Sequence, residues 1–222
     1  MRLIAIDTSW EACSVGVIAD GRTLTRSEIV GRGHAEILMG MIEDALAAAQ
    51  LAVADLDRIA VTVGPGSFTG LRVGIAAARG LALVLGKVAI GIGTLAVDAE
   101  EARAANGARA VLAALAAGRG EIYGAIYAAD GSEMLSPRTA SAEVLAAEVT
   151  DGMLIAGSGA DLILAALPMD TTAQIAHRHS APDIAALCRL ALAAPEATAS
   201  PRPLYLRPPD AKPQAAARIA HR

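Results

Sequence analysis

Four glycines in eleven residues constrain this chain more than any other feature. They lie in the run Gly64-Pro65-Gly66-Ser67-Phe68-Thr69-Gly70-Leu71-Arg72-Val73-Gly74, between a short apolar stretch at 59–63 and a long stretch of apolar and small residues at 71–85. The first stretch reads as a buried strand and the second as a helix. The glycines therefore occupy a strand-to-helix turn, where the backbone takes positive φ or approaches a neighbour closely. The turn is not a Walker A loop, which needs Gly, four residues, then Gly-Lys-Ser/Thr; no lysine stands here. A phosphate-binding turn and a tight structural turn both fit the pattern. Further on, Gly70, Gly74 and Ala78 fall four apart, with Ala77 and Gly80 beside them. Glycine inside a helix costs up to about 1 kcal/mol relative to alanine. Packing of another backbone on the stripe would offset that cost, and the neighbour is either this protein's own sheet or a helix of another chain.

Around this run the hydrophobic period gives an α/β chain. Residues 3–6 read as a buried strand ending at Asp7, 13–18 as a second strand, and Asp20-Gly21 as a hairpin turn leading to a third strand at 22–30. The period then becomes helical over 34–50, returns to strand at 88–92, and ends in a helix at 95–105. The order βββαβαβα is that of one half of a ribonuclease-H-like or actin-like fold. Asn106-Gly107 is the expected boundary. Beyond it come strands at 110–115 and 122–128, a turn at Asp130-Gly131, and a helix capped by Ser141. A strand at 153–156 stopped by Gly157-Ser158-Gly159 follows, then a helix at 162–167, a strand at 172–175, a helix at 182–193, and an extended segment from Pro195.

The residues are 54% hydrophobic but only 2% aromatic, so the core must be built from Ala, Leu, Ile and Val. The formal net charge of −4 gives no general case for nucleic-acid binding. After Ser200, however, five Lys or Arg (Arg202, Arg207, Lys212, Arg218, Arg222) face only Asp210, a tail of +4 on a body of −8. That tail is either a solvated end or a contact to RNA phosphates. Cys13 and Cys188 form no CxxC pair and read as small core residues. The opening residues lack the shape of a signal peptide, and the apolar stretches are too short and too interrupted to span a bilayer. A soluble, cytoplasmic protein with no membrane partner is expected.

Two sets of side chains are candidates for chemistry. Asp7, at the end of the first strand, could hold Mg²⁺ through water or cap nearby loop amides. His177 and His179 alternate on a strand and share a face, but no third ligand follows from the sequence, so no metal is expected.

The run from Gly64 to Gly74 resembles the signature of the TsaB (YeaZ) family. So do Ile6-Asp7-Thr8-Ser9, Gly33-His34-Ala35-Glu36-Ile37-Leu38 with Met41-Ile42, Arg119-Gly120-Glu121-Ile122-Tyr123, and Pro203-Leu204-Tyr205-Leu206-Arg207, in the family's order. The resemblance implies an actin-like (ASKHA) fold of two α/β lobes with a truncated second lobe. The lobes would be residues 1–106, with the docking helices, and 107–200, followed by a basic tail at 201–222. It also implies a non-catalytic scaffold that pairs with a TsaD-like catalytic subunit and acts with a TsaE-like ATPase. The complex adds threonylcarbamoyl to N6 of adenosine 37 in ANN-decoding tRNAs. ATP and metal would sit on those partners, tRNA would be met through the complex, and the chain alone would homodimerise. Docking through the first two helices implicates His34, Leu38, Met41, Ile42, Gly70, Arg72, Val73, Gly74, Ala77 and Ala78, and Gly74→Arg is expected to block association without unfolding the chain. A vestigial nucleotide or Mg²⁺ site would comprise Asp7, Thr8, Ser9, Gly157 and Gly159. TsaD-like proteins carry two His four apart on the first helix; here His34 is followed by Leu38. Many family members have Asp-Ala-Arg before Gly-Glu-Ile-Tyr, where this chain has Ala116-Ala117-Gly118, then Arg119. An independent ATPase or metallopeptidase of the same superfamily is the alternative.

Overall fold

The computed structural model describes residues 1–207. The opening meander is β1 (Leu3–Asp7), β2 (Ala12–Ala19) and β3 (Arg22–Ile29), all antiparallel. Its second hairpin turns on Asp20 and Gly21, both at positive φ. Two strands then join parallel to β1 on its other side, β4 (Arg58–Gly64) against β1 and β5 (Ile90–Gly93) against β4. The sheet order is β3-β2-β1-β4-β5, with α1 (His34–Ala48), α2 (Phe68–Val84) and α3 (Thr94–Asn106) as connections.

A second sheet repeats the plan. Strands β6 (Val111–Gly118), β7 (Glu121–Tyr127) and β8 (Glu133–Ala140) form an antiparallel meander. Strands β9 (Met153–Ala156) and β10 (Ala173–His177) then join parallel to β6. The order β8-β7-β6-β9-β10 is that of the first sheet, strand for strand. The helices here are short, α4 (Ala142–Ala146) and α5 (Ala160–Ala165), before the longer α6 (Ile184–Ala193). The second lobe is thus smaller in its helices rather than in its sheet. Strand β8 is absent from the sequence expectation. Its residues, EMLSPRTA, do not alternate cleanly and contain Pro137, which suits an edge strand.

Strand alternation sorts the core into layers. On β1, Ile4 and Ile6 face Leu38, Met41, Ile42, Leu71 and Ile75 of α1 and α2, while Leu3 and Ala5 face Ile184, Leu187 and Cys188 of α6. In the second sheet, Leu112 and Ala114 pack with Leu145 and Ile163 of α4 and α5, while Val111, Ala113 and Leu115 pack with Leu95, Ala99 and Ala102 of α3. Each lobe therefore lends one helix across the expected boundary at Asn106-Gly107. α3, from the first half, covers the second sheet, and α6, from the end of the described chain, covers the first. Arg58 of β4 fixes α6 by donating to the carbonyls of Ala191 (2.7 Å) and Ala194 (2.7 Å) at its C-terminal end. Asp183 caps the other end through the amides of Ala185 and Ala186.

Among the described residues no helix is long and apolar enough to cross a membrane. Residues 201–207 carry no regular element, and the rest of the basic tail, with Asp210, Lys212, Arg218 and Arg222, lies outside the described residues.

Candidate partner-docking face

Each glycine of the run makes room for a named neighbour. A side chain on Gly66 would strike the Ser9 carbonyl, one on Gly70 the Thr8 carbonyl, and one on Gly74 the Thr8 hydroxyl. One on Gly64 would meet the Leu204 carbonyl, and Gly64 also has φ +115°. Hydrogen bonds run along the same seam. Ser67 donates its amide to Ser9 O (2.7 Å), Thr8 Oγ1 donates to Gly70 O (2.7 Å), and Gly74 donates its amide to Thr8 Oγ1 (3.0 Å). The run is thus a structural joint between the end of β1 and α2, with Ser67 capping the helix through the Gly70 amide.

This corrects the docking residues expected from the sequence. Gly70, Gly74 and Ala78 face their own sheet, where they are buried, and so are His34, Leu38, Met41 and Ile42. Of these seven, Leu38 reaches the floor of an open groove, and the other six are turned into the fold. The reason is geometric: the small-residue stripe lets α2 sit directly on β1, which is the other of the two packings open at the sequence level. Gly74→Arg would therefore disrupt the fold itself.

Arg72, Val73 and Ala77 lie on the outward side, where α1 and α2 leave an open groove of about 500 Å³. Ala35, Met39, Phe68, Thr69 and Ala76 complete its lining together with the inner Leu38. Met39 is 50% exposed and Phe68 43%, although both are large and apolar. The Arg72 guanidinium lies 3.8 Å from the Phe68 ring centroid and donates through Nε to the Tyr205 hydroxyl (3.1 Å). Tyr205 in turn packs its ring 5.1 Å from that of Phe68. A cation over an exposed ring contributes about 0.5–1 kcal/mol, which keeps the rim of the groove ordered. Phe68, Arg72 and Ala76 share one stripe of α2, two residues away from the buried stripe and so on the opposite face. Sequence reasoning missed Met39, Phe68 and Ala76; the available signal was that the chain's one phenylalanine stands in a polar turn.

The C-terminal motif straps this face to both lobes. Leu204 donates its amide to Val63 O (2.7 Å), Thr139 donates its hydroxyl to Leu206 O (3.2 Å), and Arg207 bonds Glu121 and the Ala117 carbonyl.

The expected nucleotide or Mg²⁺ residues divide into two separate places. Asp7 is fully buried, and its Oδ1 accepts from Ser9 N (3.2 Å), Ser9 Oγ (2.6 Å) and Thr62 Oγ1 (2.5 Å). This is the loop-capping role. Burial pushes its carboxyl above the usual range against the lowering effect of those hydrogen bonds. Thr8 and Ser9 are equally buried, and the Thr8 hydroxyl and the Ser9 carbonyl are spent on the α2 joint. Gly157 and Gly159 sit against β6, where their amides are used by His177 O (3.1 Å) and Ala114 O (2.9 Å). Neither amide is turned out for a phosphate. On α1, His34 is buried with Nε2 2.8 Å from the Trp10 carbonyl, a contact inside the fold.

Comparison with known proteins agrees with this geometry. A family model described as TsaD, tRNA N6-adenosine threonylcarbamoyltransferase, matches residues 25–153, which run from β3 into β9. The tRNA threonylcarbamoyladenosine biosynthesis protein TsaB of Escherichia coli is 43% identical over 130 residues, covering 59% of this chain and 56% of that protein. A solved structure of YeaZ from Pseudomonas aeruginosa is 33% identical, covers 92% of this chain and 99% of that one, and superposes with a TM-score of 0.76. The chain belongs to the TsaB (YeaZ) family. A second Pseudomonas aeruginosa structure, of a protein described as similar to peptidase YeaZ, is 32% identical with coverage of 93% and 99% and a TM-score of 0.79. The actin-like, ribonuclease-H-like architecture of the two sheets is thus a TsaB-family fold. The match covers 56% of the E. coli TsaB and 52% of the Haemophilus influenzae one, so the chain spans about half the length of these relatives.

Proposed function

We propose that this TsaB-family chain is a non-catalytic subunit that docks a TsaD-like catalytic protein against its α1–α2 groove. The assembled machinery, with a TsaE-like ATPase, adds threonylcarbamoyl to N6 of adenosine 37 in ANN-decoding tRNAs. The observation that carries this reading is the groove itself. The inner faces of both helices are spent on the core, yet Met39, Phe68, Ala76 and Ala77 still leave apolar surface uncovered on the outer faces. A scaffold role also accords with the burial of Asp7 and His34 and with the internally consumed amides of Gly157 and Gly159. ATP and the catalytic metal then belong to the partners, tRNA is reached through the assembly, and the site of action is the cytoplasm. Alone, the chain covers the groove with a second copy.

The test is co-elution of the chain with a TsaD-like protein at micromolar concentration. Ala76→Arg places a charge at an exposed position of the groove and leaves the core untouched. It should weaken association at least tenfold, remove self-association and abolish stimulation in a reconstituted tRNA modification assay. Leu164→Arg, on exposed α5 surface of the other lobe, should change none of these. Equal binding by both variants would refute the docking assignment.

A further inference from the structure

The layering brings Glu101 to a pair of histidines that the sequence keeps far from it. Glu101 lies on α3, His177 ends β10, and His179 stands in the link from β10 to α6. The pairing of β10 with β9 shifts register between Ile175 and His177, which sets the end of the strand toward α3. The two imidazoles stack with centroids 4.0 Å apart and planes 11° from parallel. His179 Nε2 is 2.9 Å from Glu101 Oε1, and His177 Nε2 is 3.8 Å from Glu101 Oε2. One donor atom from each residue lies within 4.8 Å of the other two.

These groups are only partly used by the protein. His177 Nδ1 and Glu101 Oε2 are buried with no hydrogen-bond partner among the described residues, and the His177 side chain is only 10% exposed. Asp98, one turn earlier on α3, meets His177 Nε2 through its backbone carbonyl (3.4 Å). His179 Nδ1 lies 2.9 Å from the Ala181 carbonyl. With Nδ1 turned to that carbonyl, Nε2 is the nitrogen that faces Glu101, and it becomes a metal donor on giving up the proton it shares with that carboxylate. The neighbouring arginines are engaged elsewhere: Arg178 pairs with Asp161, while Arg103 and Arg189 pair with Glu100. The site therefore holds two imidazoles and one carboxylate, and none of these three arginines pairs with Glu101.

We propose that Glu101, His177 and His179 bind a divalent transition metal ion of the zinc class, which clamps α3 to the segment joining β10 and α6. Two imidazole nitrogens and a carboxylate oxygen suit zinc, which holds such atoms at about 2.0–2.2 Å and hence roughly 3.3 Å from one another. From 2.9 Å the His179–Glu101 pair opens slightly and from 3.8 Å the His177–Glu101 pair closes by about half an ångström, movements within reach of the partly exposed His179. The ion ties α3 to the segment that leads into α6, so its role is structural, and it is independent of the docking groove.

The test uses the full chain, stripped with chelator and titrated with Zn²⁺ by calorimetry, and with Co²⁺ by visible absorption. One equivalent should bind, Co²⁺ should give a tetrahedral absorption band, and Zn²⁺ should raise Tm. His179→Gln, at a partly exposed position, should fold normally and lose at least tenfold in affinity, and His177→Gln with His179→Gln should abolish binding. Absence of stoichiometric binding by the stripped chain would overturn the proposal, as would affinity unchanged in both variants.

Discussion

Gly74 and Gly80 stand on the same helix and have opposite reasons to be glycine. An added methyl on Gly74 meets the Thr8 hydroxyl that accepts its own amide, while one on Gly80 meets nothing within 4 Å. Gly74→Ala should therefore lower stability by about 1–3 kcal/mol through overpacking. Gly80→Ala should raise it by up to about 1 kcal/mol through helix propensity. Denaturant titration of the two variants checks both signs. The density of glycine was legible in the sequence, and so was the need for a close neighbour. The identity of that neighbour was not, because Thr8 and Ser9 are some sixty residues away and only the folded register brings them to α2. The same holds for Glu101, which lies 78 residues from His179, so a histidine pair without an evident third ligand was all that spacing could reveal.

At the scale of elements, α6 shows how far periodicity carries. The expected helix at 182–193 is present, as are the strands at 3–6, 13–18, 59–63 and 153–156, because each has a clear apolar period and a recognisable stop. Edge strand β8 escaped, since half-exposed residues around a proline carry no period. Nor could the pattern on α6 say which sheet it covers. In the fold, Cys188 fits against Gly16 of β2, where a larger residue would strike its sulfur. Burial there pushes the Cys188 thiol up to about 12, and burial pushes Cys13 up to about 11. Unfolded thiols ionise near the usual 9.0, so the native state keeps its protons longer. Their contribution to stability is intact below pH 9 and declines as pH rises through 11 and 12. Neither cysteine should react with a disulfide reagent at pH 8 in the folded chain, whereas both should react at once in denaturant. Rapid labelling of the native protein would show that α6 is not seated.

For the whole molecule, the exchange of α3 and α6 means that Asn106-Gly107 parts the strands of the two sheets but not the helices that cover them. Every strand of the first sheet precedes the boundary and every strand of the second follows it. The helix that covers Leu3, Ala5 and Ile18 nevertheless comes from beyond residue 180. Burying one large aliphatic side chain is worth about 1.5–3 kcal/mol, and Ile184 and Leu187 are only part of what the first sheet would lack. A fragment of residues 1–106 should therefore fail to give a cooperative thermal transition, while the full chain melts in a single one; circular dichroism of both decides it. Linear order hides this, since local pattern reports an element's type and not its destination. The lent helix also sets a timetable for biosynthesis. As the polypeptide leaves the ribosome, β1 and β2 emerge well before α6 and keep one greasy side bare until Ala193 has cleared the exit tunnel.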